Sequence, residues 1–149
     1  MQAQLPIEER FALQDLMTDY CYAVDQLSDV EQLLALFTDD AILDFSDIGL
    51  PAMPGKAAFR AFYEGVFDDM THHQHYLSNF RVEAYDGNTA TLRAYVQGLG
   101  RDKSGNEVHV HVRYRMETVK TSQGWKCRHY WILGGMPMPD SLEEIHGER

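Results

Sequence analysis

His75–Val96, HYLSNFRVEAYDGNTATLRAYV, decides the fold. Two long runs in which side chains alternate in character flank Asp86-Gly87-Asn88, a connector built from residues that accept the backbone of a tight hairpin. Further on, Glu107–Thr121 and Trp125–Leu133 repeat the alternation, joined to their neighbours by KSGN and SQG. With His75–Tyr85 and Thr89–Asp102 they predict a meander of long antiparallel strands.

Upstream the period changes. Ile7–Val24 places Phe11, Leu13, Leu16, Met17, Tyr20 and Val24 at three- and four-residue steps, the mark of an amphipathic helix, with Pro6 and the acidic Glu8-Glu9 pair suited to its first turn. A second helix is expected over Asp29–Phe37 with Ser28 as N-cap. Ala41–Ser46 reads as a short strand and Ile48–Gly55 as a Pro/Gly loop. Lys56–Met70 reads as a third helix carrying Phe59, Phe62, Tyr63 and Val66 on one face. Helix, helix, strand, helix and then antiparallel strands is an α+β pattern, with helices on one side of a curved sheet. Such a sheet leaves an opening at one end, so a pocket is expected.

With 149 residues the chain fits one domain, whose core runs from about residue 7 to 133. Residues 134–149, GGMPMPDSLEEIHGER, lose strand character and read as a loosely held tail, with a lid as the other reading. The net charge of −10, from 13 basic and 23 acidic residues without a basic cluster, argues against nucleic acid as a partner. Cys21 and Cys127 form no spacing motif and are expected as reduced core residues. No basic flank precedes an apolar run at the N-terminus, and no apolar stretch approaches the roughly 18 residues of a membrane span. A cytoplasmic protein is expected. Neither G-x-G-x-x-G nor a Walker sequence is present, so no cofactor is expected.

Strand parity sorts the candidates for the pocket. In the last run Trp125, Cys127, His129, Trp131 and Leu133 form the expected inner set. Over Glu107–Thr121 the inner set is Val108, Val110, Val112, Tyr114 and Met116, which leaves His109, His111, Arg113 and Arg115 outside on a face suited to a dimer or trimer. Over His75–Tyr85 the apolar residues Tyr76, Phe80, Val82 and Ala84 share one parity and His75, Leu77 and Asn79 the other, and the period does not choose between them. A one-residue bulge would exchange the two faces of any run. On the first helix Asp25 lies one turn after Cys21, so a core-facing Cys21 aims Asp25 inward; a helix-terminal capping role is the alternative. His72, His73 and His75 with a carboxylate would suit a metal, but successive histidines diverge and no H-E-x-x-H or Cys/His spacing accompanies them, so none is expected.

LQDLMTDYCYAVDQLSDVEQLLALFTDDAILDF, HYLSNFRVEAYDGNTATLRAYV and YRMETVKTSQGWKCRHYWI together resemble the SnoaL-like branch of the nuclear transport factor 2-like superfamily, over about Leu13 to Leu133. The resemblance implies a cone-shaped α+β barrel. Closest in pattern are the scytalone dehydratases and lindane dehydrochlorinases. Asp25 closes a matching Y-x-x-x-x-D segment, and His75 precedes x-x-x-N with Asn79 as that Asn, which implies a catalytic Asp25–His75 pair. His72 and His73 have no counterpart, and His109, His111 and His129 compete for the second histidine of the dehydratases.

Further roles implied are a substrate hydrogen bond from Tyr20 or Tyr22, which could equally be core rings, substrate contact by Asn79, and pocket lining by His129 and Trp131. The expected activity is that of a cofactor-independent lyase or isomerase, dehydratase-like, acting on a small, largely apolar, cyclic oxygenated molecule. The alternative is a noncatalytic binding or assembly module resembling the β-subunit of ring-hydroxylating dioxygenases.

Overall fold

The alternating runs form strands, and the runs of helical period form helices, in the computed structural model, which describes residues 3–147. In chain order the elements are α1 (Ile7–Gln26), α2 (Val30–Leu34), β1 (Phe37–Asp44), a 3₁₀ turn (Ser46–Ile48), β2 (Ala52–Pro54), α3 (Lys56–Asp69), β3 (Met70–Tyr85), β4 (Thr89–Asp102), β5 (Glu107–Thr121), β6 (Gly124–Gly134) and α4 (Asp140–His146). The strands form one sheet in the order β2-β1-β6-β5-β4-β3. Every pair is antiparallel except β1 with β6, which is parallel. Gly87 and Gly124 take φ of 98° and 99° at two of the hairpin turns, a region open to glycine at little cost.

Four boundaries differ from the sequence reading. The second helix is one short element capped by Asp29, whose carboxylate accepts from the backbone N–H groups of Glu31 (3.0 Å) and Gln32 (3.3 Å); Ser28 does not cap it. Phe37 leaves the helix and opens β1, where it pairs with Cys127, because strand pairing outweighs the weak helical preference of an aromatic residue. The first of the long strands begins at Met70, so Met70–Gln74 pair with β4 and carry the histidine cluster into the sheet. The tail is not a loose segment: within it α4 buries Leu142 and His146, and Ile145 packs against the core. Residues 142, 145 and 146 keep a helical spacing that the surrounding acidic residues disguise.

Two bulges decide which side chains face inward. Between Cys127 and His129 the pairing with β5 slips by one residue. Trp125 and Cys127 therefore face the core before the slip, and Tyr130 and Ile132 face it afterwards. In β3 the register shifts between Ser78 and Arg81, where Asn79 takes φ 55°. Asn is among the few residues that adopt this left-handed conformation readily. Its effect is to switch the inner parity from His73, His75 and Leu77 to Phe80 and Val82.

The core lies between the helices and the concave face of the sheet. Phe37, Phe45, Phe59, Tyr114 and Tyr130 are its largest fully buried members. Tyr20 centres an aromatic cluster in edge-on contact with Phe37, Tyr63, Tyr114 and Tyr130. Cys21 and Cys127 are buried free thiols, and burial pushes Cys21 up to about 12 and Cys127 higher still. No described helix is long and apolar enough to cross a membrane.

Candidate active site

Asp25 sits in the last turn of α1, where the negative end of the helix dipole disfavours a carboxylate by a few tenths of a kcal/mol to about 1 kcal/mol. Two hydrogen bonds from β3 offset that cost. The backbone N–H of His75 donates to Asp25 Oδ2 at 3.0 Å, and His75 Nδ1 meets Asp25 Oδ1 at 2.6 Å. With its side chain 13% exposed against 22% for that of Asp25, the imidazole is the more enclosed partner. Because a carboxylate accepts, Nδ1 carries the proton and Nε2 is left with its lone pair. This is the arrangement that orients a histidine as a general base.

His75 lines a cavity between α1, α3, α4 and the sheet. Its wall is mainly apolar, including Val24, Phe45, Phe62, Val66 and Ile132, and its polar members are His73, His75, His146 and the tyrosines 20, 63 and 114. The cavity is narrow: the centre of a water-sized sphere can reach about 90 Å³ of it. Tyr20 and Tyr63 hydrogen-bond to each other through their hydroxyls, and burial raises both well above the ordinary phenol range. They are neutral donors at any physiological pH.

His73 shares the inward parity of His75, and the two rings stand 5.0 Å apart and nearly perpendicular. His73 Nδ1 lies 3.3 Å from the Val24 carbonyl, which can only accept, so this ring too holds its proton away from Nε2. Burial, reinforced by His75, pushes His73 down to about 4. An unfolded histidine keeps its ordinary value of 6.5, so the unfolded chain takes up this proton first. The stability that neutral His73 contributes is complete above about pH 6.5 and is lost as pH falls toward 4, an effect of up to about 3 kcal/mol. Urea unfolding between these limits is expected to show a slope with pH that is flatter in His73→Asn.

Gly98 of β4 lies against the His75 ring. A Cβ placed there would lie 3.3 Å from His75 Nε2 and 3.2 Å from Val110 Cγ2. Gly98→Ala is therefore expected to crowd His75 Nε2, so that proton exchange by this ring, where measured, falls roughly tenfold with a melting temperature changed by only a few degrees. Kinetics alongside thermal unfolding separate the two effects.

Of the residues singled out from the sequence, His75 and Tyr20 line the cavity together with Val108, Val110, Val112 and Tyr114 of the expected inner set, and Asp25 stands behind His75. The others do not. Tyr22 is 64% exposed on the far face of α1. Asn79 lies on the outer side of the sheet beside Arg81 and Arg93, its backbone taken up by the bulge. His129 and Trp131 stack on each other at 3.5 Å on the convex face, with Arg115 over the Trp131 ring, because the slip after Cys127 turned them outward. Leu133 shares that parity.

His109 and His111 are exposed, as expected for the outer set. Sequence reading missed Tyr63, His73 and His146. Strand parity finds His73 once the strand begins at Met70; Tyr63 carries only the signal of a core-facing helix position, and His146 none beyond its spacing from Leu142. Asp25, His73 and His75 also bring one potential metal-ligating atom each to within 4.8 Å of one another, although both Asp25 oxygens are engaged with His75.

A curved sheet wrapped around helices, with a carboxylate-imidazole pair at the wall of an apolar cavity, defines a cone-shaped α+β barrel of the nuclear transport factor 2-like superfamily. The chain belongs to the SnoaL-like domain family, whose model matches residues 6–130. It is similar, at 48% identity over 91% of this chain and 95% of the other with a TM-score of 0.89, to a Novosphingobium aromaticivorans protein provisionally described as an aromatic ring hydroxylase. A protein of the same organism provisionally described as a scytalone dehydratase shares 23% identity over 87% of this chain and 86% of its own (TM-score 0.80). A hexachlorocyclohexane dehydrochlorinase shares 20% over 89% and 94% (TM-score 0.73). These two show a common fold. Among curated proteins, none matches.

Proposed function

We propose that the chain is a lyase or isomerase in which His75, oriented by Asp25, removes a proton from a carbon acid held in the cavity. The 2.6 Å contact between His75 Nδ1 and Asp25 carries this reading, because it leaves Nε2 as a base at an apolar wall. Asp25 stabilises the imidazolium that forms when the proton arrives. The apolar, aromatic lining suits a small cyclic molecule with one or two oxygens. The reaction proposed needs no cofactor. Two of the structural neighbours carry the names of elimination enzymes, the dehydratase only provisionally so described.

A second reading, a noncatalytic module of a ring-hydroxylating assembly, draws on the description given to the 48% identical relative. It predicts a filled pocket or an obligate larger subunit. The cavity and the engaged dyad favour the enzyme. Self-association as a dimer or trimer through the convex face, where Arg113 covers Tyr95 and Arg115 covers Trp131, and cytoplasmic residence belong to the same proposal.

Proton abstraction can be measured without knowing the natural substrate. Incubated in D₂O with a panel of cyclic ketones and hydroxy-ketones, the protein is expected to accelerate exchange of α-hydrogens, read by NMR. A panel that neither binds nor exchanges sinks the proposal.

A further inference from the structure

The two inward-facing imidazoles of β3 are anchored alike. His75 Nδ1 is held by Asp25 at 2.6 Å and His73 Nδ1 by the Val24 carbonyl at 3.3 Å, both in the last turn of α1. A carboxylate and a backbone carbonyl can only accept, so each ring keeps its proton on Nδ1 and turns the lone pair of Nε2 away from the helix. A histidine whose far nitrogen is fixed by such an acceptor is one prepared to bind a metal ion.

The separation of the rings agrees. Two imidazoles on one tetrahedral Zn²⁺, with Zn–N bonds of about 2.0–2.1 Å, have their ring centres roughly 5 Å apart. Those of His73 and His75 are 5.0 Å apart. Opposite them in register β4 places Gly100 and Gly98, so the two rings face backbone that carries no side chain at the paired positions. A Cβ at Gly98 would come 3.3 Å from His75 Nε2, and one at Gly100 3.0 Å from His73 Cδ2.

An ion need not pass through the narrow cavity to arrive. A wider, more polar cleft, open to solvent beside Thr71, His72 and Glu107, also touches Asp25, His73 and Gly100. Among the described residues, no three other His, Cys, Asp or Glu side chains bring ligating atoms as close together as Asp25, His73 and His75 do.

We propose that His73 and His75 bind one Zn²⁺, or a similar divalent cation that favours imidazole, through their Nε2 atoms. Asp25 is not a ligand in this site; both its oxygens are spent on holding His75 from behind, and solvent completes the coordination. The ion takes the lone pair that the general-base reading gives to His75. On that reading, on which this consequence alone rests, zinc is an inhibitor of proton abstraction.

Binding is measured on the full chain, freed of metal by chelator, in competition with a chromogenic zinc indicator, and the ligands are read from ring ¹⁵N shifts. One Zn²⁺ per chain is expected, not displaced by excess Mg²⁺, with Nε2 of His73 and His75 shifted while their Nδ1 protons stay. His73→Asn and His75→Gln, confirmed folded by circular dichroism, should each weaken binding about tenfold or more, and Asp25→Asn should do so by about 10- to 100-fold through the orientation of His75. The double substitution His109→Ala, His111→Ala should leave binding in place.

The inference is overturned by a wild type that binds no zinc, by folded His73→Asn or His75→Gln that binds as tightly as the wild type, or by binding that vanishes with His109 and His111. The general-base reading fails separately. Zinc that saturates the site and leaves α-hydrogen exchange unchanged removes that reading and keeps the metal site, whereas exchange that depends on Asp25 in a protein that binds no zinc does the reverse.

Discussion

Asp25→Asn is expected to lower the rate of α-hydrogen exchange by about 10²- to 10⁴-fold while the fold and ketone binding survive. The size of the effect follows from hydrogen-bond bookkeeping at two atoms. Both Asp25 oxygens accept, one from the His75 backbone N–H and one from His75 Nδ1. Asn offers one acceptor and one donor. The backbone N–H can only donate, so it claims the amide oxygen and turns the Asn NH₂ toward Nδ1. Nδ1 must then accept, which moves the ring proton to Nε2 and removes the lone pair that served as the base. ¹⁵N shifts of the His75 ring are expected to report this exchange of tautomers, and unchanged shifts together with unchanged turnover would remove the orienting role of Asp25.

The largest effect on stability is expected from Phe37→Ala. Phe37 is fully buried, meets Tyr20, Phe59 and Tyr130, and stands where β1 joins β6. Truncation removes the transfer energy of the ring and leaves a cavity that packed aromatic neighbours refill poorly, at a cost of about 3–5 kcal/mol. For a chain of this length that corresponds to a fall in melting temperature of roughly 10 °C or more. Because Tyr20 rests on Phe37, the same change should loosen the inner end of the cavity. Calorimetry tests the first effect, and a fall of only a degree or two would show that the cluster around Tyr20 can close over the gap.

Much of this was legible in advance, and what was not has identifiable causes. The hairpins around Asp86-Gly87-Asn88 and the three helices follow from period and turn chemistry, which act within a few residues. Asp25 and His75 could be matched to a family pattern, and their meeting needs only α1 to pack across β3. His129 and Trp131 follow from parity carried along a whole strand, and a single slipped residue reverses parity beyond it; Asn79 follows from the resemblance alone, and the bulge falls at its own position. The resemblance does not separate Tyr22 from Tyr20; their directions on a helix differ by about 200°, and burial selects Tyr20.

The amino-acid sequence by itself determined the order of elements, the α+β architecture and the two residues of the dyad, because each depends on local periodicity or on a short motif. Only the tertiary structure decided that β1 lies parallel to β6, that His73 stands beside His75, and that His146 returns from the far end of the chain to the same cavity. Those three facts arise from which surfaces bury one another across long separations in the chain. No pattern of period two or of period 3.6 encodes that pairing.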